Sequence, residues 1–159
     1  MNASPSPQAG SPHSWLAHAK SDLRITQICR SDSSVLPNQT VFHAQQAAEK
    51  AIKAVLLEHK IRFPRTHDLG ELIVLIQQHT VMWPFAPNEV EALSPFAVET
   101  RYPDDTDPLS ENEVSEAISL AEKVIEWAKK QNGQIPCVSD QFSQLYVLGN
   151  PLYSSSIHG

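Results

Sequence analysis

The sequence is short of what several common architectures need. Of its 159 residues only two are cysteines, Cys29 and Cys137. That is too few for a thiolate zinc cage or a disulfide-dense scaffold. The five glycines are scattered, and none builds a glycine-rich phosphate loop. No apolar run approaches the roughly 18 residues of a membrane span. The opening MNASPSPQAGSPHS has neither a basic start nor an apolar stretch, which speaks against a secretory signal. H-E-x-x-H and G-x-S-x-G are absent, and no two of the seven histidines fall at metal-ligand spacing with a third ligand nearby. Neither a metal nor a cofactor is expected. With 41% apolar and 19% charged residues, what remains is a cytoplasmic protein of one domain, large enough to bury its own core and with no membrane contact.

Charge is present but unevenly spread. Residues 15–66 carry 8 basic and 4 acidic side chains, a net +4, whereas residues 67–132 carry 4 basic and 13 acidic, a net −9. The basic half is either a surface for phosphate groups or one side of a self-complementary packing, within the chain or across a dimer.

Apolar periodicity predicts an all-α protein, an antiparallel bundle of four to five helices. Residues 1–13 read as a flexible tail, 14–132 as the helical domain and 133–159 as a C-terminal tail that can dock. Ser14 is the expected cap of the first helix, whose stripe is Trp15, Leu16, Ala19, Leu23, Thr26 and Cys29. The second runs from Pro37 or Asn38 to His59, with Val41, Ala44, Ala47, Ala48, Ala51, Ile52, Val55 and Leu56 on its apolar face. Thr66 is placed to cap a third helix that ends near His79, with Asp68 in its first turn. Asn88 is placed to cap a fourth, broken near Ser94-Pro95. Ser110 and Glu113 form a capping box that opens a fifth, stopped by Gly133.

Two constellations carry possible chemistry. His43, Gln46, Lys50 and Lys53 fall at i, i+3, i+7 and i+10 of the second helix and share one face. An imidazole, an amide and two ammonium groups in a row suit a phosphate or a nucleotide edge. The plainer reading is a solvated face on which Glu49 pairs with Lys53. The segment Arg62-Phe63-Pro64-Arg65-Thr66-His67-Asp68 sets two guanidinium groups and a histidine at a helix N-terminus. Such an end attracts anions, although capping alone accounts for Thr66, His67 and Asp68.

Three blocks together resemble a HEPN domain: Phe42-His43-Ala44-Gln45-Gln46-Ala47-Ala48-Glu49-Lys50-Ala51-Ile52-Lys53-Ala54, then Phe63-Pro64-Arg65-Thr66-His67-Asp68-Leu69, then Thr100-Arg101-Tyr102-Pro103-Asp104. The resemblance covers about residues 14–131. It implies a small bundle of four or five helices that commonly dimerises. Many such domains are encoded beside a minimal nucleotidyltransferase as the toxin half of a toxin–antitoxin pair, and others bind nucleotides. Ribonuclease members share an Arg followed, after four to six residues, by a His. Here the counterpart starts at Arg101, and positions 106, 107 and 108 are Thr106, Asp107 and Pro108. The imidazole that would move a proton is missing. Arg62 and His67 match the spacing but lie before the third helix, away from that place. The acidic cluster Glu99, Asp104, Asp105 and Asp107 has no calcium-loop spacing and reads as a solvated turn.

The expectation is therefore a non-catalytic HEPN-domain homodimer that binds a nucleotide or RNA, a minimal nucleotidyltransferase partner, or both. The candidate ligand-binding residues are His43, Gln46, Lys50, Lys53, Arg65, His67, Arg101 and Tyr102. The alternatives are a ribonuclease toxin that keeps Arg101 without the histidine, and a helical adaptor with no ligand. Dimerisation is expected because the apolar stripes, with Trp83 and Phe85 beside a proline-rich break, exceed what one small bundle covers.

Overall fold

The structure, a computed structural model, describes residues 10–99 and 108–133, the side chains of Val98 and Glu99 excepted. Arg101, Tyr102, the acidic cluster around Asp104 and the segment 134–159 lie outside the described residues. Four helices of ten residues or more dominate: α1 (Pro12–Arg30), α2 (Pro37–Glu58), α3 (Leu69–Gln78) and, after a one-turn α4 (Phe96–Glu99), α5 (Glu111–Asn132). Among the described residues there is no strand.

Local chemistry explains most boundaries. The first helix starts two residues before Ser14, because Ser11 is the N-cap and accepts from the Ser14 N–H at 3.1 Å, with Pro12 at the first position. Pro37 opens α2 in the same way. Beyond the last turn of α2, Lys60 takes φ +58° and the Ile61 N–H reaches back to the Leu56 carbonyl at 2.8 Å. That pattern closes the helix end and buries Ile61. The cap of α3 is Asp68, which accepts from the Gly70 N–H at 2.8 Å. Thr66, expected in that role, sits two residues before the cap and accepts from the Asp68 N–H at 3.0 Å.

The fourth helix departs further from expectation. Asn88 adopts φ +66° and does not cap a long helix. The segment divides into a 3₁₀ turn, Glu91–Leu93, and the short α4, because Pro95 lacks the N–H that would continue it. The Ser94 hydroxyl accepts from the Leu69 N–H at 2.9 Å and ties this segment to the start of α3. The capping box of α5 forms as the sequence implies: Ser110 Oγ accepts from the Glu113 N–H, and Glu113 accepts from the Ser110 N–H at 2.8 Å. These bonds, from the Ser110 backbone first and its hydroxyl second, hold the Glu113 carboxyl below the usual glutamate range.

The contacts between helices give the topology. Thr26 meets Thr40, Asp22 meets Lys50 and Lys53 lies over Trp15, so α1 and α2 run antiparallel. Gln27 meets Glu122 and Arg30 meets Ser115, so α1 is antiparallel to α5 as well. The second helix is central. Its whole expected apolar stripe is buried, together with Ala54, and the unbroken run 51–56 shows it covered on nearly every side. Alanine at 44, 47, 48 and 51 permits this, since small side chains let neighbouring helices close in.

Trp83 and Phe85 are not exposed. Both are half-buried against Trp127, at ring-centroid distances of 4.9 Å and 6.4 Å. The Trp127 Nε1–H donates to the Met82 carbonyl at 2.9 Å. This corrects part of the ground for expecting a dimer, because the bundle covers these rings itself. The large apolar side chains that do stand exposed include Ile25, Ile28, Leu36, Val74 and Met82.

Candidate functional site

Packing α2 against α1 turns its polar face partly inward. The buried polar residues include Asp22 on α1 and Gln45, Glu49 and Lys53 on α2. A buried charge demands partners, and here the partners form two clusters that follow one another along α2.

In the first cluster Asp22 reaches across from α1. One carboxylate oxygen meets His43 Nδ1 at 3.2 Å and the other accepts from Lys50 Nζ at 2.5 Å. The His43 and Lys50 side chains remain 26% and 25% exposed, so both are held from within and open to water on the outside. In the second cluster Glu49 accepts from Lys53 Nζ at 2.7 Å and from Gln45 Nε2 at 3.0 Å, and meets His67 Nδ1 at 3.1 Å. Lys53 also donates to the Thr66 carbonyl at 2.8 Å. Its ammonium stands 5.6 Å from the ring centroids of both Trp15 and Phe63. Its ion pair and cation–π contacts are thus internal.

The expected residues are accordingly dealt into different places. His43, Gln46 and Lys50 share the half-open face of α2, and Gln46 Nε2 donates to Gln45 Oε1 at 2.7 Å. Lys53 lies beneath it. Its pairing with Glu49 is the local one the sequence suggested, but the pair is buried rather than solvated. Arg65 and His67 lie on the α2–α3 connection. Arg65 is exposed, and the His67 side chain is 62% exposed although one ring nitrogen is held by Glu49. Arg101 and Tyr102 are outside the described residues. The start of α3 is already occupied by its own carboxylates: Asp68 caps it, and a Cβ on Gly70 would come within 2.9 Å of Glu91 Oε1. That helix end offers nothing to an anion.

Four residues of the clusters, Asp22, Gln45, Trp15 and Phe63, are not among the site residues expected from the sequence. Asp22 alone carried a signal, a carboxylate in phase with Ala19 and Thr26 on the buried stripe of α1. Charge reversal at Lys50, harmless on a solvated face, here sets a second carboxylate against Asp22. Among the described residues, no ion pair links a basic residue of 15–66 to an acidic residue of 67–132. Lys60, Arg62 and Arg65 stand exposed along the connection that carries His67, as does Asp68. The described residues hold no group of three or more metal-ligating side chains, and none of their helices is long and apolar enough to cross a membrane.

This arrangement of helices has a solved counterpart. The crystal structure of an archaeal HEPN homologue superposes with a TM-score of 0.59 at 24% identity, covering 78% of this chain and 99% of that one. At that identity the likeness speaks for the fold. No relative with a curated description matches the chain. The profile of the HEPN domain matches residues 13–131, a span that takes in all four long helices and both polar clusters. Sequence and fold thus converge, and the chain belongs to the HEPN domain family.

Proposed function

We propose that this chain is a non-catalytic HEPN protein that binds a nucleotide or an RNA segment on the open face of α2. One observation carries the reading: His43 and Lys50 reach solvent side by side while the buried Asp22 pins both from behind. Burying that carboxylate is costly, and apolar side chains of similar size would fill the space without such a cost. The arrangement makes sense as a site organised before its ligand arrives. Lys50 keeps two N–H donors free of Asp22, and the exposed Arg65 adds a fork suited to phosphate. Gln46 and His67 extend the same face. Arg101 and Tyr102 are assigned to the site on the family resemblance alone.

Isothermal titration with AMP, ATP and a short RNA tests this. Binding that weakens with salt, and weakens further in Arg65→Glu, is the expected result, because Arg65 is exposed and its replacement leaves both clusters intact. Absence of heat with all three ligands would overturn the reading and leave a helical adaptor.

A second reading, a ribonuclease, is favoured by one feature. His43 and His67 each offer Nδ1 to a carboxylate, an arrangement that leaves Nε2 able to take a proton. Cleavage of total RNA that is lost in Arg101→Ala would replace binding by catalysis. A dimer and a minimal nucleotidyltransferase partner belong to the proposal as well. Ile25 and Ile28, one turn apart and exposed on α1, are an apolar surface for a second copy. A single 17.6 kDa species in sedimentation equilibrium at micromolar protein would exclude the dimer.

A further inference from the structure

Resting on the nucleotide-binding reading, we infer that His43, Gln46 and His67 present hydrogen-bond acceptors beside the Lys50 ammonium and so select a ligand by its N–H or O–H donors. The buried carboxylates impose that polarity. An ionised carboxylate only accepts. Facing an ionised carboxylate, His43 donates its Nδ1–H to Asp22 and His67 donates its Nδ1–H to Glu49. In a neutral imidazole this leaves Nε2 as an acceptor on each ring. The same logic runs through the amides. Gln45 donates its Nε2 to Glu49 and to the His67 carbonyl, so its Oε1 can only accept, and the Gln46 Nε2 fills it at 2.7 Å. Gln46 is thereby turned so that its Oε1 faces away from Gln45.

These outer atoms are reachable. Among the described residues the one buried side-chain polar atom without a partner is Asn132 Oδ1. His43 Nε2 and Gln46 Oε1 have no described hydrogen bond and are therefore not fully buried, and His67 is largely exposed. His43 and Gln46 are neighbours at i, i+3, and His67 joins them through Gln45 and Glu49. Three acceptors linked in this way are a poor seat for phosphate, which offers acceptors of its own. They suit the uncharged part of a nucleotide, either the exocyclic amine of adenine or the ribose hydroxyls, while Lys50 and Arg65 meet the phosphate. Both sources present the same chemistry, a donor aimed at an acceptor.

The test compares three monophosphates by titration calorimetry: AMP, purine riboside monophosphate (which lacks only the amine) and 2′,3′-dideoxy-AMP (which lacks only the hydroxyls). A roughly 10-fold weaker Kd for one analogue is expected, and the analogue that suffers identifies the donor. The preference should shrink in Gln46→Leu and in His43→Phe, with folding checked by thermal unfolding. Equal Kd values for all three ligands would overturn this inference and leave nucleotide binding standing. A preference unchanged in both variants would also overturn it. Failure of every nucleotide to bind would remove the inference together with the reading beneath it.

Discussion

The two buried carboxylates that pair with α2 side chains, Asp22 and Glu49, look alike on paper and differ in kind. Each holds one lysine and one histidine. Glu49 pairs with Lys53 on its own helix, and that lysine is sealed under Trp15 and Phe63 at 7% side-chain exposure. Asp22 comes from another helix, and its partners keep a quarter of their surface in water. The Glu49–Lys53 pair is therefore a clamp that fastens α1 and the α2–α3 connection onto α2, with His67 at its open edge. The Asp22 cluster is an open platform. Identical group types acquire different roles according to what covers them, since the cost of an unmade contact rises with the exclusion of water.

Substitutions that break this contrast rank by burial. Glu49→Leu strands the Lys53 ammonium among apolar groups and should lower stability by about 3–5 kcal/mol in urea unfolding. A loss under about 1 kcal/mol would show that Lys53 escapes to water and that the clamp is no clamp. Asp22→Asn should cost less, about 2 kcal/mol, because Lys50 and His43 can turn outward to solvent. It should also weaken AMP binding, a readout that Glu49→Leu mixes with its structural damage. The coupling energy between Asp22→Asn and Glu49→Gln is smaller again. The clusters share no described partner, so the double variant should match the sum of the singles to within about 0.5 kcal/mol. A larger coupling would merge them into one network.

The smallest effect lies away from both clusters and serves as their reference. The Glu113 carboxyl is held below its ordinary range by the Ser110 backbone and hydroxyl. A depressed folded-state value means stabilisation that is complete above the unfolded value and is lost as pH falls through the folded one. The stability gap between the native chain and Glu113→Gln should thus be open at neutral pH and close under acid. A gap that persists below the carboxylate range would place the effect in packing instead.

Much of this molecule was legible in its sequence, for identifiable reasons. Helix identity and phase follow from apolar spacing, so the stripe of α2 from Val41 to Leu56 could be read in full. The capping box at Ser110 and Glu113 needs only residues three apart. Boundaries that depend on competition between neighbours were less legible: Ser11 displaced Ser14, and Asp68 displaced Thr66, because several short polar side chains stood close enough to serve. The pairing of Glu49 with Lys53 was visible at i, i+4, but not its depth.

What the sequence determined alone is the apolar phase of the four long helices, the capping box at Ser110 and Glu113, and the HEPN resemblance carried by residues 42–54 and 63–69. Only the tertiary structure decided which polar side chains of α2 are sealed and which remain open. It also brought in Asp22, which is 21 residues from His43 and 28 from Lys50 along the chain. Periodicity reports which face of a helix is apolar, not how far the neighbouring helices extend over its polar edge. That coverage is set by the approach of α1 across the alanines of α2, and it separates the clamp from the platform.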